Sequence, residues 1–434
     1  MNDAATAALR RVSRHLVPLL FLLYLFSYID RVNIGYAALQ MNKELGFSPA
    51  VFGLGAGLLF LGYVLFGIPS NFVMKKVGSR VWLSLLAIAW GVVAVGNALI
   101  SNEATFYGMR FLLGLAESGF VPGMLLYLTN WYPQSERAKV VSTLYMATAV
   151  SVIVAGPLSG AIMQMDGVAG LSGWKWILIL EGVPPILLGL YALKALPEGP
   201  ADATWLPANE RDQLVAALAE GDAAQADKSY TTFAAALRAP IVWVFGFLYF
   251  LLGIGFFSVM IWLPQVVKQL SGLSAVQVSF VSAVPFIFAS AAMMLYGRHS
   301  DRTGERQWHL VLAYVVGAVG LAASAWFTNP MASFVAIAVA AVGLWSATGV
   351  FWPLPTGFLS GSGATGGLAL INSIGILGGF VGPYLVGLVR NVTPDFSTAL
   401  YAIAATQVLA ALIATQVHRS AAVRATRAAA TPRS

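Results

Sequence analysis

Residues 16–38 read LVPLLFLLYLFSYIDRVNIGYAA, an apolar run with an acid and a base, Asp30 and Arg31, side by side near its end. As a helix this stretch rises about 35 Å, enough to cross a hydrocarbon core of about 30 Å. A charge near the bilayer centre costs at least ~2.5 kcal/mol unless it is paired or hydrated. Two adjacent charges in such a run therefore point to function. Arg10, Arg11 and Arg14 precede the run as they would in a signal peptide. The run is too long for one, however, and lacks a small-residue cleavage site, so it reads as a retained first spanning helix.

Eleven similar stretches follow, at 50–74, 81–100, 103–128, 138–164, 174–195, 241–267, 276–298, 307–327, 330–356, 365–389 and 396–417. Composition agrees: 58% of the 434 residues are hydrophobic and 10% are charged, against roughly a quarter charged in soluble proteins. The expected fold class is an all-α integral membrane protein of twelve transmembrane helices. The absence of cysteine removes disulfides, thiolate metal sites and redox pairs. His15, His299, His309 and His418 lie near the ends of apolar runs without metal-ligand spacing, so no metal and no cofactor is expected. The net charge of +7 is scattered in short interruptions rather than gathered on one face, which speaks against a nucleic-acid partner.

Lysine and arginine set the orientation, because cytoplasmic loops retain them. With the N-terminus inside, Lys75, Lys76, Arg80, Arg137, Lys139, Lys194, Arg211, Lys228, Arg238, Arg298, Arg302, Arg306 and the tail arginines fall in the cytoplasm. Only Lys43, Lys175, Lys268 and Arg390 fall outside. The expectation is a multi-pass inner-membrane protein with both termini cytoplasmic. Its parts are a six-helix bundle over 1–195, a cytoplasmic linker over 196–240, a second six-helix bundle over 241–418 and a tail over 419–434. The linker reads as a short amphipathic helix capped by Asn209, with Leu214, Val215 and Leu218 on one face and Gly221 at its end.

The two bundles repeat. Gly78, Arg80 and Trp82 recur as Gly304, Arg306 and Trp308, and Gly156-Pro157 recurs as Gly382-Pro383, all at an offset of 226 positions. A parallel repeat of six spans gives alternating access a physical basis, with two similar bundles rocking about a shared site. The Gly-Pro pairs either bend their helices where the bundles meet or are tolerated kinks.

Charges within the spans carry the chemistry. Span four holds Arg110 and Glu117, seven residues apart and so nearly on one face; span six holds Glu181 near one end, where a structural hydrogen bond is the favoured reading. Arg31 and Arg110 are the expected anion ligands, because a guanidinium stays charged and its fork matches a carboxylate. Asp30 and Glu117 are the expected proton carriers. A carboxylate that loses its guanidinium partner to a bound anion takes up a proton more readily, which couples the two. The alternative is that the four charges only neutralise one another and fix helix register. Asn372 either contacts the anion or bonds between helices, and Tyr28 and Tyr63 either line the same cavity or pack helices. In the loop after span eight, Gly297 through Arg306 matches G-x-x-x-D-R-x-G-x-R, in which Asp301 and Arg302 latch neighbouring helix ends; otherwise this is a positive loop with incidental acids. The first-half counterpart lacks the aspartate, so any latch there must differ.

Tyr28-Ile29-Asp30-Arg31-Val32-Asn33-Ile34-Gly35, Gly67-Ile68-Pro69-Ser70-Asn71, Arg110 with Glu117, Glu181-Gly182 and His299-Ser300-Asp301-Arg302 resemble the anion:cation symporter branch of the major facilitator superfamily. The likeness spans nearly the whole chain. The segment Asp166 through Gly173-Trp174 and Trp176 looks closest to the bacterial tartrate and hydroxyphenylacetate permeases. The resemblance implies the major facilitator fold and import of a small organic carboxylate, such as tartrate, a sugar acid or an aromatic acid, by proton symport. It places Asp30 and Glu117 in proton coupling, and Tyr28, Arg31, Tyr63, Arg110 and Asn372 near the anion. Thr148 stands about where sugar-acid carriers offer a glutamine, which favours a less hydroxylated substrate, and Phe351 and Trp352 are aromatic candidates to meet a ring. The protein is expected to act as a monomer. Two other readings remain: an anion exchanger or exporter, and a membrane nutrient sensor. No nucleotide-binding loop or catalytic triad supports an enzyme.

Overall fold

The computed structural model describes residues 3–223, 238–358 and 361–430, and every regular element among them is helical. Twelve helices are long and apolar enough to cross a membrane: α1 (Ala5–Leu45), α2 (Pro49–Gly67), α3 (Ser79–Leu99), α4 (Glu103–Thr129), α5 (Lys139–Met163), α6 (Gly173–Ala195), α7 (Pro240–Ser271), α8 (Ala275–Thr303), α9 (Gln307–Trp326), α10 (Pro330–Thr356), α11 (Gly366–Val392) and α12 (Ser397–Val417). Large apolar side chains stand on their outer surfaces, among them Leu65, Leu187, Leu295 and Leu312, each more than half exposed. Water would penalise such a surface and lipid does not, so the chain is a multi-pass membrane protein.

The chain divides into two compact units, Met1–Phe47 with Leu58–Ser229, and Ser48–Gly57 with Tyr230–Ser434. In the first, α1 packs on α5 and α6, and α3 packs on α4 and α6. Helices α2 and α4 approach until a β-carbon at Gly114 would fall on the Leu59 carbonyl. The regular helix in α4 stops at Glu117 and resumes at Phe120. Pro122 accounts for the interruption: it has no N–H to offer the Ser118 carbonyl four residues back, and its ring crowds that oxygen.

In the second unit α7 lies along α11, α9 along α10 and α12, and α8 along α10. Gly378 and Gly382 let α11 meet the α7 backbone at Phe250 and Ile254, close packing of the kind that holds helices together in lipid. The start of α2 belongs here because Gly53 and Gly57 rest on Pro383, Gly387 and Phe380. Gly78 (φ 89°, ψ 154°) and Gly304 (φ 68°, ψ −5°) both need the positive φ that glycine tolerates, but these positions related by the 226-residue offset differ in conformation.

The linker helix runs Ala208–Ala223. Asn209 is inside it rather than capping it, because the Pro207 carbonyl closes the first turn by accepting the Arg211 N–H at 2.9 Å. Gly221 does not end it. Leu214 is buried while Val215 is 45% exposed, so the apolar face is narrower than the sequence suggested. Arg11 pairs with Glu210 at 3.0 Å and ties this helix to α1. Residues 224–237 of the linker and 431–434 of the tail lie outside the described residues; residues up to 430 continue α12 as helix.

Candidate functional site

One buried cluster of charge lies in the first unit, built by α1, α2, α4, α5 and α6. Asp30, Arg31, Arg110, Glu117 and Glu181 are each 6% exposed or less. The Arg31 Nε donates to Glu117 Oε2 at 2.8 Å, and its guanidinium carbon lies 4.9 Å from the Tyr28 ring centre and 4.7 Å from that of Tyr63. A cation between two aromatic faces gains ~0.5–2 kcal/mol from each, and more where water is excluded. The Arg31 Nη2 has no hydrogen-bond partner among the described residues. Arg110 is more isolated still: it is fully buried, and none of its three nitrogens is bonded among those residues. Glu117 and Asp30 lie within its electrostatic reach. A buried guanidinium left without acceptors is costly, and an anion would supply them.

The sequence reading brought four of these charges together, and the structure does as well. It adds three residues that reading did not place here. Asn33, one turn after Asp30 on α1, has its amide nitrogen 3.4 Å from Asp30 Oδ1. Ser159 on α5 donates to Glu181 Oε1 at 2.8 Å. Glu181 itself lies in reach of both Asp30 and Tyr36. The i,i+3 spacing of Asp30 and Asn33 was the signal for the first, and a third acid inside an apolar run was the signal for Glu181. Nothing in the sequence marked Ser159.

The other expected residues have the following surroundings. Asn372 is half-buried on α11, in the second unit. Asp301 bonds Arg306 at 2.8 Å, joining the end of α8 to the start of α9, and Arg302 is exposed. The carboxylate that caps α9 is Glu305, accepting from the Trp308 and His309 N–H groups at 2.8 and 3.2 Å. The equivalent position in the first unit is Ser79, and there Glu198 reaches in from beyond α6 to accept from the Ser79 and Arg80 N–H groups at 2.9 and 3.1 Å. The same helix end is thus capped by a carboxylate in both units, from different places in the chain. Pro157 lies within a continuous helix; Gly382 gives α7 its close approach, and the Pro383 carbonyl accepts from the Trp262 indole at 3.1 Å. Thr148 returns its hydroxyl to the Tyr145 carbonyl at 2.8 Å. Phe351 is fully buried against Tyr249, and Trp352 meets the edge of the same ring. The segment after Asp166 is held by that carboxylate at the Gly173 N–H, 2.7 Å, and by the Trp174 indole on Glu44, 2.8 Å.

With this geometry in hand the comparison with known proteins is direct. Residues 20–383 match the Major Facilitator Superfamily. The chain belongs to that family. Among relatives of this superfamily member, a candidate tartrate transporter of Agrobacterium vitis is 42% identical over 97% of this chain and 96% of that protein. A quinolone resistance transporter of Acinetobacter baumannii is 38% identical over 92% of each. The crystal structure of a bacterial homologue of the human lysosomal transporter Spinster shares the major facilitator fold, with a TM-score of 0.78 at 17% identity, covering 94% of this chain and 97% of that one.

Proposed function

We propose that this superfamily member imports a small organic carboxylate, with tartrate the first candidate, by proton symport through alternating access. It would act as a monomer in the inner membrane with both termini in the cytoplasm. The observation that carries the reading is Arg110, a buried guanidinium whose donors lack acceptors among the described residues, within electrostatic reach of the Glu117 that holds Arg31. An arriving carboxylate satisfies Arg110 and competes for Arg31. Glu117 then loses its partner in a water-poor site and takes a proton, and Asp30 has the same opportunity through Arg110. Anion and proton each strengthen the binding of the other. The name of the 42% identical relative supports tartrate, and the positive-inside pattern supports the orientation.

The test is uptake of labelled tartrate into proteoliposomes under an imposed pH gradient, inside alkaline, with the external pH followed in weak buffer. Accumulation against the tartrate gradient with alkalinisation outside is the expected result. The relative named for quinolone resistance favours a second reading, export. Under export coupled to proton entry, an outward anion gradient would drive the same proton entry, and tartrate would be expelled rather than accumulated.

A further inference from the structure

Three acids and two guanidiniums share the cluster, and the count does not balance. Asp30, Glu117 and Glu181 face Arg31 and Arg110 in a site where none is more than 6% exposed. Were every group ionised, one negative charge would remain uncompensated in a low-dielectric interior, a state that proteins relieve by taking up a proton.

The bonding indicates which acid holds it. Glu117 is bonded to Arg31 at 2.8 Å, and Asp30 has the Asn33 amide nitrogen 3.4 Å from its Oδ1 and both guanidiniums within electrostatic reach. Glu181 Oε2 has no hydrogen-bond partner among the described residues. Glu181 Oε1 is already occupied by the Ser159 hydroxyl. A proton on Oε2 removes the uncompensated charge, and the neutral acid's other oxygen still accepts from Ser159.

We infer that Glu181 is a third proton-binding site, holding one proton in the anion-free protein. Among the described residues, the titratable groups in reach of Glu181 are Asp30 and Tyr36, both on α1. Helix α5 contributes the neutral Ser159, and α3 presents Ala94 and Val95 to the neighbouring Gly182. Among the described residues Glu181 has no ion-pair partner, whereas Glu117 has Arg31. The occupied Glu181 makes the empty site neutral. If the symport reading is right, each negative charge on the cargo then brings one proton, and a dicarboxylate brings two, onto Asp30 and Glu117.

The inference is tested without any cargo, so its failure and that of the symport reading are distinct. Infrared spectra of the full chain reconstituted in lipid at neutral pH should contain the carbonyl stretch of a protonated carboxyl that shifts on exchange into D2O. Ser159→Ala removes the hydrogen bond to that carbonyl and should move the band to higher frequency without abolishing it. Glu181→Gln should abolish it. The inference is overturned if the native protein lacks the band, if Ser159→Ala leaves its frequency unchanged, or if it survives in Glu181→Gln. Ser159→Ala is a small change at a residue outside the anion-binding pair, so the test stands even if Glu181→Gln fails to fold.

Discussion

Replacing Glu117 by glutamine should tighten anion binding while destroying active transport. In the native protein Glu117 Oε2 accepts from Arg31 Nε at 2.8 Å, with the glutamate side chain fully buried and the arginine 7% exposed. Removing one partner of such a buried pair costs ~3–5 kcal/mol, and the amide carbonyl of glutamine recovers ~1 kcal/mol as a neutral acceptor, leaving a deficit of about 2–4 kcal/mol. An incoming carboxylate relieves that deficit without first displacing a competitor. At ~1.4 kcal/mol per tenfold, even the lower bound gives tartrate an affinity gain of about 30-fold. The variant also lacks one of the two acids that take up protons, so affinity should vary less with pH. Calorimetric titration of purified protein measures the affinity, and proteoliposomes measure accumulation. Counterflow exchange should persist while accumulation under a pH gradient disappears. Unchanged or weaker binding in a monodisperse Glu117→Gln protein, or undiminished accumulation, would refute the competition on which coupling depends.

Arg110→Met should abolish tartrate binding yet leave the melting temperature equal to or above that of the native protein, because it removes a buried guanidinium that has no bonded partner; a substantially lower melting temperature argues that Arg110 is structural. Glu198→Ala removes the acceptor for the Ser79 and Arg80 N–H groups. It should cost about 1 kcal/mol and speed amide exchange at the start of α3, with α9 unaffected. Burial alone would raise the Glu305 carboxyl, but the bonds from the Trp308 N–H and from His309 outweigh it and hold the group below the usual glutamate range. Its contribution to the start of α9 is therefore present above the unfolded-state value and lost as pH falls through the lower folded one. Acid-dependent amide exchange at 308–310 should show this in the native protein and lose it in Glu305→Gln.

Much of the fold was legible because the bilayer imposes it: a helix that crosses lipid must be apolar for about 20 residues, and each such run marked a span. The ends were less legible, since hydropathy records where the lipid stops and not where the helix does. Thus the helix containing α1 begins at Asp3, well before the apolar run at residue 16, and the helix containing α2 continues to Val77 through Lys75 and Lys76. In the site, Asp30, Arg31, Arg110 and Glu117 stood out because charge in an apolar run is costly. Asn33 and Ser159 did not, since uncharged polar residues are common in membrane helices and become informative only once a neighbour is known. Glu181 was visible and read as hydrogen-bonded, and it does accept from Ser159, but its approach to Asp30 was hidden because it depends on how α6 packs against α1. Glu198 was hidden for a similar reason: it caps a helix 119 positions earlier in the chain.

The most direct test of the account is a count of protons taken up as the anion binds, by calorimetry of purified protein with tartrate in buffers of different ionisation enthalpy. Joint binding of anion and proton by Arg31, Arg110, Asp30 and Glu117 predicts net proton uptake on binding, reduced in Glu117→Gln, and no binding heat in Arg110→Met. Binding of tartrate with no proton uptake, or equal binding by Arg110→Met, would contradict it.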